Sequence, residues 1–380
     1  MESSSGNQTK VVILGVGHAN QLVSEVCQPA AYRAFFDRVQ PDVIGIEREP
    51  SAFLRADFYE FTHEQQHIIL PYAKKNNISV QPFDWNASME EQQLAWGVAD
   101  SEHLPFSRTH SAFKPFLSFP EPFTYENDFF FSEKQEAVDL INGMFKNEVG
   151  EADFPRRFFL YRTYMQAMRI KHIAQSAQGK TVLIVVGHLH KPDIEQILTT
   201  TEMIELVPPS TYGYPSAAEI ENHFELKDAS FIMAFNLLGI QSQYIVERSW
   251  LKNVLKKVPS EYLFEKRLYQ IRFQQLLEDN KQTDVIREYK ELAEEIGWKE
   301  QFLFQSFSRM SERIDSYYDP FGNVSIKARI YIELAREFAK QGEYSKVEEM
   351  KAHILECTGW SLEEKLRFEG YWEEYVLSMR

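Results

Sequence analysis

Two stretches of this chain close on the same pattern, and each delivers a histidine. One reads Val11-Val12-Ile13-Leu14-Gly15-Val16-Gly17-His18, the other Val182-Leu183-Ile184-Val185-Val186-Gly187-His188-Leu189-His190. Imidazole is the commonest protein metal ligand. A carboxylate stands in a comparable place, because Glu47 ends a further apolar run, Val43-Ile44-Gly45-Ile46. Three protein ligands with a position left for water are the usual make-up of a catalytic metal site, and a cation there makes water easier to deprotonate. His18, Glu47 and His190 are therefore the candidate ligands, with Glu47 also a candidate catalytic group. Asp84, at the end of Ile78-Ser79-Val80-Gln81-Pro82-Phe83, stands in reserve. Gly15, Gly17 and Gly187 are expected to allow a tight turn and close approach of backbone to the bound group. Aligning Gly15 with Gly187 equates His18 with His190 and leaves His188 over. His188 either flanks the site or replaces His190, and the alignment favours His190.

Arg162 joins this set from a different kind of segment. At helical spacing it shares a stripe with Phe158, Met165 and Ile173, which points its guanidinium near the buried side. Buried arginines have partners. One role open to it is a catalytic clamp on a carboxylate or developing oxyanion; the other is a salt bridge to Glu47 or Asp84. Gly15-x-Gly17-x-x-Asn20 also makes a partial dinucleotide fingerprint. That reading lacks the third glycine, puts His18 where phosphate must approach, and leaves the second histidine motif unexplained.

The elements that must carry these residues follow from periodicity. Continuous apolar runs are the mark of buried parallel strands, and open α/β sheets place their ligands beyond the carboxyl ends of strands. Residues 11–50 read as strand, helix and strand, with a break near Pro29. A helix over Glu64 to Asn76, a strand over Ile78 to Trp85, a long helix over Pro155 to Gln178 and a strand over Met203 to Val207 complete the alternation. This predicts an α/β fold: a duplicated strand-helix-strand unit in a mainly parallel sheet, spanning 10–245. Within it, 86–155 is an aromatic-rich insertion carrying Phe106, Phe113, Phe116, Phe119, Phe123 and Tyr125. Such an insertion either walls a substrate site or packs a lobe. From 250 to 380 the period is helical almost throughout, which predicts a C-terminal all-helical domain. Tyr331 to Tyr344 in it resembles one turn of a tetratricopeptide repeat, and the domain is a candidate docking site for a protein partner.

Composition excludes several classes. A net charge of −15 argues against a nucleic-acid binder, which needs an excess of Lys and Arg. No apolar run is long enough to cross a bilayer, and the polar start has no apolar centre of a secretory signal. Cys27 and Cys357 are too few for a disulfide framework. The expectation is a cytoplasmic, non-membrane protein.

In their order along the chain, Gly15-x-x-His18, Gly45-Ile46-Glu47, Arg162 on a helix and Gly187-x-x-His190 resemble the TraB/Tiki superfamily over residues 10–240. That superfamily includes ChaN-like haem-binding lipoproteins and erythromycin-esterase-like proteins. The resemblance implies a metalloprotease-like hydrolase using the paired Gly-x-x-His motifs and the glutamate. It also implies a divalent metal, Mn, Co or Zn, and a peptide or small-molecule substrate. The alternative it leaves open is a non-catalytic haem- or ligand-binding or regulatory protein of the same fold. His188, standing before His190, departs from the pattern, as does the helical tail.

Overall fold

The computed structural model describes residues 8–18, 20–58, 62–88, 90, 128–144, 153–239, 247–277, 282–303, 321 and 324–377. Five strands, β1 (Thr9–Val16), β2 (Val43–Ile46), β3 (Ser79–Pro82), β4 (Thr181–Gly187) and β5 (Ile204–Leu206), form one sheet in the order β3-β2-β4-β1-β5. Every neighbouring pair is parallel. The two motif-bearing strands lie side by side, paired from Lys10↔Thr181 to Val16↔Gly187. The fold is therefore α/β with a parallel sheet and a helical C-terminal region.

Alternation of side chains along the strands divides the core in two. Val12, Leu14, Val16, Ile44, Ile46, Leu183 and Val185 face α1 (Pro29–Val39) and a π-helical turn, Glu64–Ile69, that runs into α3 (Leu70–Asn76), beyond the short α2 (Pro50–Leu54). Val11, Ile13, Val182, Ile184 and Val186 face the other way. They pack on Ala167, Ile170 and Ala174 of the long helix α5 (Asp153–Ser176), which follows α4 (Gln135–Met144), and on Ile194 and Leu198 of α6 (Lys191–Leu198). Full burial of one such aliphatic side chain stabilises by roughly 1.5–3 kcal/mol. The break expected at Pro29 is a helix start: a 3-10 turn, Asn20–Leu22, precedes it, and Pro29 takes the first helical position, where its missing N–H costs nothing. Of the insertion aromatics, Phe129 packs against Tyr32 and Phe35 at ring separations of 4.8 and 5.2 Å. Phe106, Phe113, Phe116, Phe119, Phe123 and Tyr125 lie outside the described residues.

The sheet unit ends, after α7 (Ala217–Asn222), at Phe224, and the helical unit begins at Glu225. Its first helix, α8 (Leu226–Leu237), buries Phe231, Ile232, Met233, Phe235 and Leu237. It lies ahead of the change in periodicity near Trp250 and has no solvated charged face that would betray its unit from sequence. Six more helices follow among the described residues: α9 (Arg248–Lys257), α10 (Leu263–Leu277), α11 (Gln282–Glu295), α12 (Ile326–Lys340), α13 (Tyr344–Cys357) and α14 (Leu362–Tyr375). Gly342 closes α12 at φ 72°, a left-handed conformation that glycine adopts without penalty. No helix among the described residues is long and apolar enough to cross a membrane.

One buried carboxylate ties α10, α12 and α14. Glu333 accepts from Arg329 at 2.6 Å, Arg272 at 3.1 Å, Arg336 at 3.2 Å and the Tyr375 hydroxyl at 2.7 Å. Burial alone pushes its carboxyl up, but the three guanidinium groups outweigh burial and hold it well below the usual carboxylate range. Glu333→Gln leaves the guanidinium groups uncompensated and should cost about 3–5 kcal/mol in urea unfolding at neutral pH. A depressed folded-state pKa contributes stability that is complete above the unfolded value and is lost as pH falls towards the folded one. The gap between parent and variant should therefore narrow below about pH 5.

Candidate functional site

Each candidate residue leaves the sheet at its carboxyl edge. His18 follows β1, Glu47 follows β2, Asp84 follows β3, and His188 and His190 follow β4. Because β1 and β4 are neighbours and β2 borders β4, the two histidine motifs and the glutamate are brought together. Glu47 lies at the centre. Its Oε1 is 3.3 Å from Nε2 of His190 and its Oε2 is 3.7 Å from Nε2 of His18. The backbone N–H of Gly187 donates to Oε2 at 2.6 Å.

The outer nitrogen of each imidazole is held by a different partner. His18 Nδ1 lies 2.9 Å from Oε1 of Glu64, and a carboxylate can only accept, so the proton sits on Nδ1. His190 Nδ1 lies 2.7 Å from the Thr163 hydroxyl, which donates its one proton to the Phe159 carbonyl at 2.9 Å. Thr163 must then accept from His190 Nδ1–H. In the neutral form of either ring, the remaining lone pair is on Nε2 and faces an oxygen of Glu47. Acceptor facing acceptor is tolerated only with a proton or a cation between them. Burial alone would lower the His18 pKa, but Glu64 and Glu47 outweigh it and carry it up to about 10. Glu47 is pushed up by burial and held well below its ordinary range by His190, His18 and Arg162.

Arg162 is occupied by carboxylates. Its Nε and Nη2 donate to Oδ1 and Oδ2 of Asp84 at 3.0 and 2.8 Å, and Nη2 also reaches Oε1 of Glu47 at 3.2 Å. Of its two expected roles, the salt bridge is the one present. It sits at the edge of the buried stripe on α5, since Phe159, Thr163, Gln166, Ala167, Ile170 and Ala174 are the buried positions. Gln166 donates to Asp84 Oδ1 at 2.7 Å, and Phe159 stacks on the His190 ring at 4.4 Å and 8°.

Glu64, Thr163 and Gln166 were not among the residues singled out from sequence. Gln166 lies four positions beyond Arg162, so the helical face carrying the arginine signalled it, while Thr163, one position beyond, lies beside that face. Nothing local marks Glu64.

His188 stands beside the site, its N–H bonded to the Val16 carbonyl at 2.9 Å and its ring 6.4 Å from Phe131. Burial keeps its pKa below the ordinary value.

The glycines divide by role. Gly187 lies against the site, and a Cβ there would stand 3.1 Å from His18 Nε2 and 3.2 Å from Glu47 Oε2. Gly15 serves packing instead, because its Cβ would fall 2.6 Å from Cβ of Ser132. The Gly17 carbonyl accepts from Asn20 N–H at 3.0 Å. Left-handed glycines among the described residues are Gly179, Gly213, Gly342 and Gly359, so a turn that only glycine can make is not the reason for any of the three.

No group of three or more His, Cys, Asp or Glu side chains among the described residues is set to hold a metal ion as it stands. The Glu47 carboxylate is drawn towards Gly187 N–H and Arg162, while the two Nε2 atoms face it from either side. In kind, two imidazole lone pairs and a carboxylate fit a divalent cation.

Compared with protein-family models, curated proteins and solved structures, the chain matches none.

Two variants test the geometry. Arg162→Ala should destabilise by about 1–3 kcal/mol, less than a fully buried pair because the guanidinium is partly solvated. Arg162→Lys should recover little of it, lacking the two-pronged fit to Asp84. Both are read by thermal or urea unfolding. Gly15→Ala should cost about 1–3 kcal/mol by overpacking against Ser132; an unchanged melting temperature would refute that contact.

Proposed function

We propose that the chain is a divalent-metal-dependent hydrolase of peptide or ester bonds, as the resemblance to the TraB/Tiki superfamily implies. The observation that carries this reading is the pair of Nε2 atoms turned on one carboxylate, each with its Nδ1 proton committed elsewhere. Second partners of this kind set the tautomer and orientation of metal-ligating histidines. His18, His190 and Glu47 would hold the ion. A divalent cation so held supplies Lewis acidity and makes water acidic enough to attack a carbonyl at neutral pH.

The chain's own groups do the rest. Glu64 and Thr163 aim the two imidazoles. Asp84 and Arg162 hold Glu47 against rotation, with Gly187 N–H on its other oxygen. Phe159 covers one face of His190 and keeps water from it. His188 would flank the ligands as an accessory group.

Elemental analysis after equilibration with Mn, Co or Zn is the first test. We expect one ion per chain, hydrolysis on a generic ester or peptide panel, and affinity reduced at least about 100-fold in His18→Ala with the fold kept. A Soret band on adding haem, with no divalent ion bound, would replace this reading with the haem-binding alternative. Full metal occupancy in both His18→Ala and His190→Ala would refute the assignment.

A further inference from the structure

The π-helical turn Glu64–Ile69 is an irregular element that borders the site. π-helical turns are rare and concentrate where a function needs the local geometry. Two consecutive residues of this turn reach the carboxyl edge of the sheet. Glu64 Oε1 accepts from His18 Nδ1–H at 2.9 Å, and Gln65 Nε2 donates to the Glu47 carbonyl at 2.9 Å. Both residues are 1% exposed.

Glu64 is an expensive residue in this place. Among the described residues its second oxygen, Oε2, is buried with no hydrogen-bond partner. An apolar side chain of similar volume would serve packing better. What the carboxylate supplies is an acceptor for His18: with Nδ1 donating to it, Nε2 is the nitrogen turned towards Glu47.

We propose that the π-turn is the positioning element of the site, with Glu64 as a positioning residue that fixes the proton and rotation of His18. Its consequence for metal affinity rests on the hydrolase reading above. Its consequence for the His18 ring proton does not. Glu64→Gln keeps an acceptor oxygen, whereas Glu64→Leu removes it.

The test uses the full chain with ring-labelled histidine, observed by long-range proton–nitrogen spectra and by Co(II) titration. The parent should show an exchange-protected Nδ1–H on His18. Glu64→Gln should keep that signal and stay within about tenfold of the parent's Co(II) affinity. Glu64→Leu should lose the signal and bind Co(II) about 10–100-fold more weakly. A parent without a protected Nδ1–H overturns the proposal, whether or not the leucine variant folds. So does a folded leucine variant that retains both properties, or a glutamine variant that loses the signal. A parent with the protected proton but no Co(II) binding removes the metal reading and leaves the positioning of His18 supported.

Discussion

The arrangement turns on one carboxylate with an imidazole at either oxygen. Glu47 cannot donate, and neither facing nitrogen has a proton of its own to give while its ring is neutral. Something positive must enter that space, and the surroundings are built around the need. Gly187 has no Cβ, so its N–H reaches Oε2. Arg162 anchors Oε1 from the side, and Gln65 holds the backbone behind. Glu64 and Glu47 favour the protonated form of His18, which places positive charge at one of the two nitrogens. The proposed divalent ion would supply it in the working state, at the same nitrogen atoms.

The sheet makes the meeting possible because the matched strands are adjacent. The chain leaves β1 towards one face, where α1 packs, and leaves β4 towards the other, where α6 packs. Divergence of successive connections to opposite faces opens the space at strand ends where α/β proteins place their ligands. The long helix α5 then closes the arrangement with one stripe. Phe159, Arg162, Thr163 and Gln166, at i, i+3, i+4 and i+7, share a face. Between them they stack on one ligand candidate, set its tautomer and hold two carboxylates.

Two buried glutamates show what distinguishes a structural charge from a positioning one. In the helical unit, Glu333 has both oxygens occupied by guanidinium groups and a phenol, and its folded-state pKa is driven far down. It links three helices, and every acceptor is used. Glu64 has one oxygen on His18 and the other without a hydrogen-bond partner among the described residues. The first pattern is what stability requires of a buried ion; the second gives up stability to direct a neighbour.

Much was legible in the residues themselves. The apolar runs ending in glycine and histidine specified buried parallel strands, because only a strand covered on both faces tolerates such continuity. The same runs marked His18, Glu47, Asp84 and His190 as strand-end residues, and the period of residues 155–178 placed Arg162 on a helix. Its two possible roles could not be separated there, since the partner depends on which strand ends lie beneath the helix. Glu64 was invisible for a related reason: one acid in a polar helical stretch carries no pattern, and the π-turn that aims it arises from packing on α1 and the sheet. The glycines read as turn-makers owe their presence to close neighbours, Ser132 for Gly15 and Glu47 for Gly187, which are distant in sequence. Local sequence determined the elements and the kinds of side chain at their ends, because periodicity and β-branching are local properties. Strand order, the adjacency of β1 and β4, and the assignment of each proton and partner were decided only by the tertiary structure, because each depends on contacts between residues far apart in the chain.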